Sequence, residues 1–253
     1  MKEILSFQLI EPDKALVDFV YCFSSLQNFS IQREAVIIPN GRIDLIFSRT
    51  EDNLLQIALL GLETKPKYTS QEVTNLYSVS FNPLAVEYLL GESVAEIINK
   101  GKLLPDNFWD FNIEDLDNFT SFCEKISAKI YSLLPKEIDK RKKKLFELIF
   151  SANGEVSIQE LADKVFWSQR QINRYFNQQF GLSVKAYCKI LRFQASLPHI
   201  KKGQLNPQLN FTDQSHFIKE VKQFSGVSPK ELYKNKNDRF YNFWFLKRSK
   251  FAS

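Results

Sequence analysis

The chain has 253 residues, 44% hydrophobic and 25% charged, enough for one large globular domain or two ordinary ones. Its net charge of +5 hides an asymmetry: residues 1–135 carry 11 Lys and Arg against 19 Asp and Glu, and residues 136–253 carry 23 against 10. No apolar run approaches a membrane span, the start MKEILSFQLIEPDK has no apolar signal segment, and three scattered cysteines with only two histidines offer no metal-ligand spacing.

The chain therefore reads as cytoplasmic, with Cys22, Cys123 and Cys188 reduced and structural. In the acidic half, VIIPNGRIDLIF (36–47) is two apolar runs around Pro39-Asn40-Gly41, a hairpin signal. Ile43, Leu45 and Phe47 alternate with Arg42, Asp44 and Ile46 as on a half-buried strand. Leu55–Leu60 and Leu76–Phe81 are further strand candidates. A helix is expected from Pro83, capped by Asn82, and a short one over Ser93–Lys100 before Gly101. Leu116, Phe119, Phe122, Ile126 and Ile130 predict a longer helix from about Glu114 to Leu134, stopped before Pro135. Strands followed by helices make this half an α+β domain, a small sheet or barrel with helices, over residues 1–135.

KEIDKRKKK (136–144) marks a domain boundary or opens the next helix. From there to residue 253 the pattern is all α. Leu145, Leu148 and Ile149 form a stripe ending near Asn153-Gly154, and Ser157 with Glu160 predicts a capping box for SIQELADKV. A break at Phe166-Trp167 leads to Ser168, the cap of SQRQINRYFNQQFG, which carries amides and arginines and no carboxylate. Short helix, tight turn and second helix are helix-turn-helix spacing.

The segment repeats. FNQQFGLSVKAY (176–187) matches VKQFSGVSPKEL (221–232) at an offset of 45 residues, with Ser168 over Asp213. In the first copy Ile172, Tyr175, Phe176 and Phe180 share one helical face, opposite Arg170, Asn173, Arg174 and Asn177. In the second, Phe217, Val221 and Phe224 face inward, opposite Ser215, Lys219 and Lys222. Arginine can fork onto guanine and an amide can pair with adenine, whereas phosphates would repel a carboxylate on that face. This composition suits a helix in a DNA major groove. The second copy carries fewer candidate readers, because Ile218 stands for Asn173 and Glu220 for Tyr175.

These residues carry a resemblance. Segment 157–233, through ELADKV, S-x-R-x-I-x-R-x-F-x-x-x-x-G, LRFQAS and FTDQSHFIKEVKQFSGVSPKEL, resembles the DNA-binding domain of the AraC/XylS family of bacterial transcription regulators. The resemblance implies two helix-turn-helix units joined by a long helix, here from near Lys185 with Ala186, Ile190, Leu191 and Phe193. IIPNGRIDLIF, VSFNPLAVEYLLG and Leu104-Pro105 look like an N-terminal domain of one branch of the family, implying ligand sensing or dimerisation. Two departures stand out: Pro198 should interrupt the linker helix, and QLNPQLN with Pro207 leaves the second unit's support helix about one turn short. Asn210 replaces the glycine usual before Phe211.

By resemblance, base contacts fall on Arg170, Asn173 and Arg174, with Gln169 and Gln171 as neighbours. In the second unit they fall on Gln214, Ser215, His216 and Lys219, His216 being alternatively a packed or capping side chain. Lys185, Lys189 and Arg192 are phosphate contacts or a solvated linker. The implied partners are double-stranded DNA, a small-molecule effector at the N-terminal domain and a second copy of the chain, with no cofactor and no membrane. An enzyme is disfavoured: His199 and His216 both lie in the basic half, and only Asp44 and Glu63 offer a carboxylate pair. A non-specific architectural DNA protein with a degenerate second unit is the alternative. Arg42 and Asp44 suggest a salt bridge or a ligand contact, and the tail residues Phe240, Tyr241, Phe243, Trp244 and Phe245 suggest packing or an interaction motif.

Overall fold

The computed structural model describes residues 6–29, 35–69, 73–209 and 211–235; Asn210 and the aromatic tail lie outside the described residues. Two compact units divide the chain. The first takes Met1–Ile31, Arg42–Gly61 and Gln71–Lys143, and the second takes Gln32–Gly41, Leu62–Ser70 and Lys144–Ser253.

The strands are β1 (Ser6–Ile10), β2 (Val20–Phe29), β3 (Ala35–Ile37), β4 (Ile43–Arg49), β5 (Leu55–Leu60), β6 (Lys67–Thr69), β7 (Val73–Phe81) and β8 (Gly101–Leu103). In the first unit six of them form an antiparallel sheet in the order β1-β2-β7-β4-β5-β8. The alternation read in β4 is realised: Ile43, Leu45 and Phe47 are fully buried while Asp44, Ile46 and Ser48 are half-buried. Helix α1 (Phe119–Leu133) covers that apolar face, its Phe122 ring 5.1 Å from both Phe47 and Tyr77. Each such aromatic, fully buried, contributes about 2–3 kcal/mol of transfer free energy.

The expected hairpin at Pro39-Asn40-Gly41 does not form. Strand β3 pairs with β6 in a separate two-stranded ribbon, while both edges of β4 are taken by β5 and β7. Gly41, at φ 72°, redirects the chain between the two sheets rather than pairing its flanks. Three helix readings are also corrected. Asn118 caps α1, so the expected start at Glu114 becomes a separate 3-10 turn, Ile113–Leu116, with its own Asn112–Asp115 capping box. Ser93–Lys100 holds only a 3-10 turn at Ala95–Ile97. After Pro83 the chain forms a π-helical turn, Val86–Leu90, and the Asn82 side chain donates to the Val17 carbonyl (2.8 Å) instead of capping it.

Helix α2 (Lys140–Ser151) crosses the boundary between the units, which falls after Lys143. Its first turn is tied to the first unit by ion pairs of Lys142 with Glu87 and Lys143 with Asp18. The rest belongs to the second unit, which joins the β3–β6 ribbon to α3 (Ile158–Val165), α4 (Gln169–Phe180), α5 (Val184–Lys201), α6 (Gln214–Ser225) and α7 (Pro229–Lys234). Phe146 of α2 packs against Phe176 and Phe180 of α4 at centroid distances of 5.7 and 6.0 Å.

The repeat is real in three dimensions. Ser168 and Asp213 cap α4 and α6, left-handed Gly181 and Gly226 end them, and Ser183 and Ser228 cap α5 and α7. Contrary to expectation, α5 runs through Pro198 to Lys201. The proline sits on the exposed side one turn from the helix end, where water can satisfy the lost carbonyl partner, and buried Leu197 and Ile200 hold the last turn down. The support helix before α6 is absent from the described residues between Lys202 and Asp213. The segment after β3 lies on α5: the Tyr187 hydroxyl donates to the Gly41 carbonyl (3.0 Å, buried) and the Gln194 amide donates to the Pro39 carbonyl.

Gly154, at φ 75°, lies against α5 so closely that a Cβ would stand 2.2 Å from the Cys188 carbonyl oxygen. Gly154→Ala is expected to lower stability by about 3 kcal/mol, combining an unfavourable left-handed backbone with a clash against rigid main chain. Urea denaturation of the two proteins checks this; a loss within about 0.5 kcal/mol would contradict the packing described.

Candidate nucleic-acid interface

Helix α4 starts where it does because Ser168 closes a reciprocal capping box. Its hydroxyl accepts from the Gln171 N–H (3.2 Å), and the Gln171 side-chain oxygen accepts from the Ser168 N–H (2.8 Å). Helix α3 is capped by Ser157, but the expected reciprocal half is not made, because the Glu160 carboxylate pairs with Lys164 at 2.7 Å. Ile172, Tyr175, Phe176 and Phe180 of α4 are buried, as the helical wheel required. That fixes which face turns outward.

On the outward face the residues divide by what already holds them. Gln171 is consumed by the capping box, and Gln169 donates to Gln159 of α3 (2.5 Å), which in turn donates to Asp163. Gln169 therefore braces the two helices against each other, while Gln171 fixes the start of α4. Asn173 is half-buried, with its carbonyl accepting from the Asn177 side chain at 2.8 Å. Arg170 and Arg174 are exposed, and neither meets a carboxylate among the described residues. Two unpaired guanidiniums one helical turn apart have their donors available for an external anion or base edge.

The second unit is arranged differently. Gln214 is turned back to donate to the Leu205 carbonyl (3.0 Å), pinning the irregular segment to the start of α6. Ser215 and Lys219 are exposed. His216 is held at both ring nitrogens: Nε2 lies 3.2 Å from Glu220, and Nδ1 accepts from the Thr212 N–H at 3.4 Å. Lys189 and Arg192 of α5 converge on the same carboxylate, at 3.4 and 3.0 Å. Glu220 itself is only 2% exposed, and Arg192 also lies over the Phe211 ring at 5.1 Å. Lys185 stays exposed.

Sequence reading missed Glu220 as a site. The signal was there: a carboxylate at a position in the buried stripe, where the first copy has Tyr175, demands cationic partners. Glu220→Ala leaves Arg192 facing an apolar junction and is expected to cost about 3–5 kcal/mol, as for a broken buried pair. Lys189→Ala, on the solvent side, should cost about 1 kcal/mol or less. Urea denaturation that ranked the two equally would contradict the geometry.

In the first unit, Asp44 accepts from the Ser80 hydroxyl at 2.5 Å. Arg42 donates to Asn82 and lies 4.2 Å from the Tyr21 ring centroid. Glu63 faces Lys67 at 3.8 Å. Burial pushes the thiols of Cys22, Cys123 and Cys188 up to about 12. They are protonated at neutral pH and poor nucleophiles. A thiol reagent at pH 8 should label the native protein far more slowly than the urea-unfolded one. Rapid native labelling of Cys22 or Cys188 would contradict their burial. No helix among the described residues is long and apolar enough to cross a membrane.

Residues 8–101 match the family model of a domain of unknown function, DUF6597. No curated protein matches the chain. Among solved structures, the chain is similar to ToxT of Vibrio cholerae O395, with 14% identity over 92% of this chain and 99% of that one, and a TM-score of 0.43. A second ToxT structure from Vibrio cholerae gives 13% identity, 91% and 97% coverage and a TM-score of 0.42. An unsaturated-fatty-acid-bound ToxT from Vibrio cholerae strain SCE256 gives 13%, 91% and 94%, and 0.41.

Proposed function

We propose that this chain is a sequence-specific, DNA-binding transcription regulator of AraC type, acting in the cytoplasm. One observation carries the reading: α4 presents Arg170 and Arg174 exposed and free of carboxylate partners, on a helix capped and braced as the second member of a helix-turn-helix. The excess of Lys and Arg over Asp and Glu in residues 136–253 supports it, because phosphate neutralisation favours a positively charged partner. So does the resemblance of segment 157–233 to the family's DNA-binding domain.

In this reading Arg170 and Arg174 are the principal base readers, and Asn173 contributes through its half-exposed amide. Gln169 acts as a brace between α3 and α4, and Gln171 as half of the α4 cap, rather than as readers. In the second unit Ser215 and Lys219 are the free donors, with Gln214 and His216 holding α6 in place. The two recognition helices enter successive major grooves, roughly 34 Å apart along one face of the duplex. The α+β unit is assigned a small-molecule effector, and a homodimer completes the proposal. An open cleft of about 560 Å³ between β5, β8 and the turns around Asn107 and Asn112 has the size for such a ligand.

Arg174→Ala should weaken binding to the selected site by about 1–3 kcal/mol in a gel-shift titration, while leaving binding to random DNA nearly unchanged. Wild-type affinity should fall steeply between low and physiological salt as counterions are released. Equal affinity for random and selected duplexes would favour the architectural alternative instead.

A further inference from the structure

Seven non-glycine residues among the described ones have positive φ, and five of them are Asn or Asp, the types that tolerate it. The other two are Trp109 and Phe166. Trp109 is held by packing, its ring stacked on Phe108 at 5.0 Å and edge-on to Phe81 at 6.2 Å. Phe166 has no such return. It sits at φ 56°, ψ 39°, its side chain is 87% exposed, and its ring meets no other aromatic ring among the described residues. A bulky residue in a strained turn, exposed and without a ring contact among the described residues, points outward to a partner.

The internal repeat supplies a control. At the offset of 45 residues, Phe166 corresponds to Phe211, the same residue type at the same place before a recognition helix. Phe211 is 8% exposed, lies 5.0 Å from Phe217 and carries the Arg192 guanidinium over its face. In the first copy the neighbouring Trp167 is half-buried, its ring 5.7 Å from Tyr175, while Phe166 stays outside. The outward ring is therefore a property of this copy alone, and this is the copy with the free arginines.

We infer that Phe166 is an apolar DNA-contacting residue, seated on a thymine methyl or the adjoining deoxyribose where α4 enters the groove. The inference rests on the DNA-binding reading above and deepens it. Phe166 lies in the turn two residues before the Ser168 cap and four before Arg170, at the end of α4 assigned to DNA. Aromatic side chains are established partners of thymine methyls, whose surface offers no hydrogen bond and rewards apolar contact. The contact adds shape and thymine preference beside the arginines' preference for guanine.

Phe166→Gly and Phe166→Asn both suit the left-handed backbone, so each removes the ring without threatening the fold. The full-length variants are titrated against a duplex selected by the wild-type protein from a random pool, and against the same duplex with every thymine replaced by deoxyuridine. The melting temperature should be equal or higher, and Kd should rise about fivefold to tenfold, as expected for losing part of a phenyl ring's burial. If the ring sits on thymine methyls, deoxyuridine weakens the wild type and not Phe166→Gly. If it sits on deoxyribose, both proteins respond alike and the gap between them persists. Unchanged Kd in both variants, with Arg174→Ala still weakening binding, overturns this inference alone. If none of these variants alters binding, the DNA-reading proposal falls with it. A lower melting temperature would place the ring inside the fold, and a changed oligomeric mass would place it between copies; either result overturns the inference.

Discussion

Glu220 is buried where α6 meets α5, with Arg192, Lys189 and His216 arranged around its carboxylate. A helix-turn-helix pairs its second helix with a first one, and α6 has no such support helix among the described residues between Lys202 and Asp213. An ionic junction takes its place. Desolvating a carboxylate is costly, so the cluster is worthwhile only in the one geometry where Arg192 meets both oxygens. That demand fixes how α6 is turned about its axis, which packing of Phe217, Val221 and Phe224 alone would hold less sharply. It also removes His216, Lys189 and Arg192 from the pool of groups free to meet a phosphate.

The two copies of the repeat thus solve the same problem with different chemistry. In the first, aromatic packing of Tyr175, Phe176 and Phe180 and an amide bridge from Gln169 to Gln159 hold α4, leaving both arginines unencumbered. In the second, charged groups hold the helix, and fewer donors remain. The asymmetry suggested by composition becomes a structural one, in which holding the helix and, in the proposed function, meeting DNA compete for the same side chains.

The legible parts of the fold were those written in local patterns. Caps at Ser157, Ser168 and Asp213, the buried stripe of α4 and the alternation in β4 all followed from spacing and side-chain chemistry. Partner choice was not legible. The turn at Pro39-Asn40-Gly41 gives a hairpin signal, yet β3 pairs with β6, because pairing depends on residues distant in sequence. Pro198 forbids one hydrogen bond locally, but burial of Leu197 and Ile200 outweighs it. At the proposed DNA-facing surface, residue types singled out the candidates, while geometry decided which of them were already engaged: Gln171 by its cap, Gln214 by the Leu205 carbonyl, His216 by Glu220.

Selection of bound sites from a random DNA pool, read by sequencing, tests the central claim most directly. An enriched motif is expected with one strongly specified half-site, rich in guanine where Arg170 and Arg174 reach, and a second, weaker one about a helical turn away. A pool that emerges without enrichment, or with two equally specified half-sites, would contradict it.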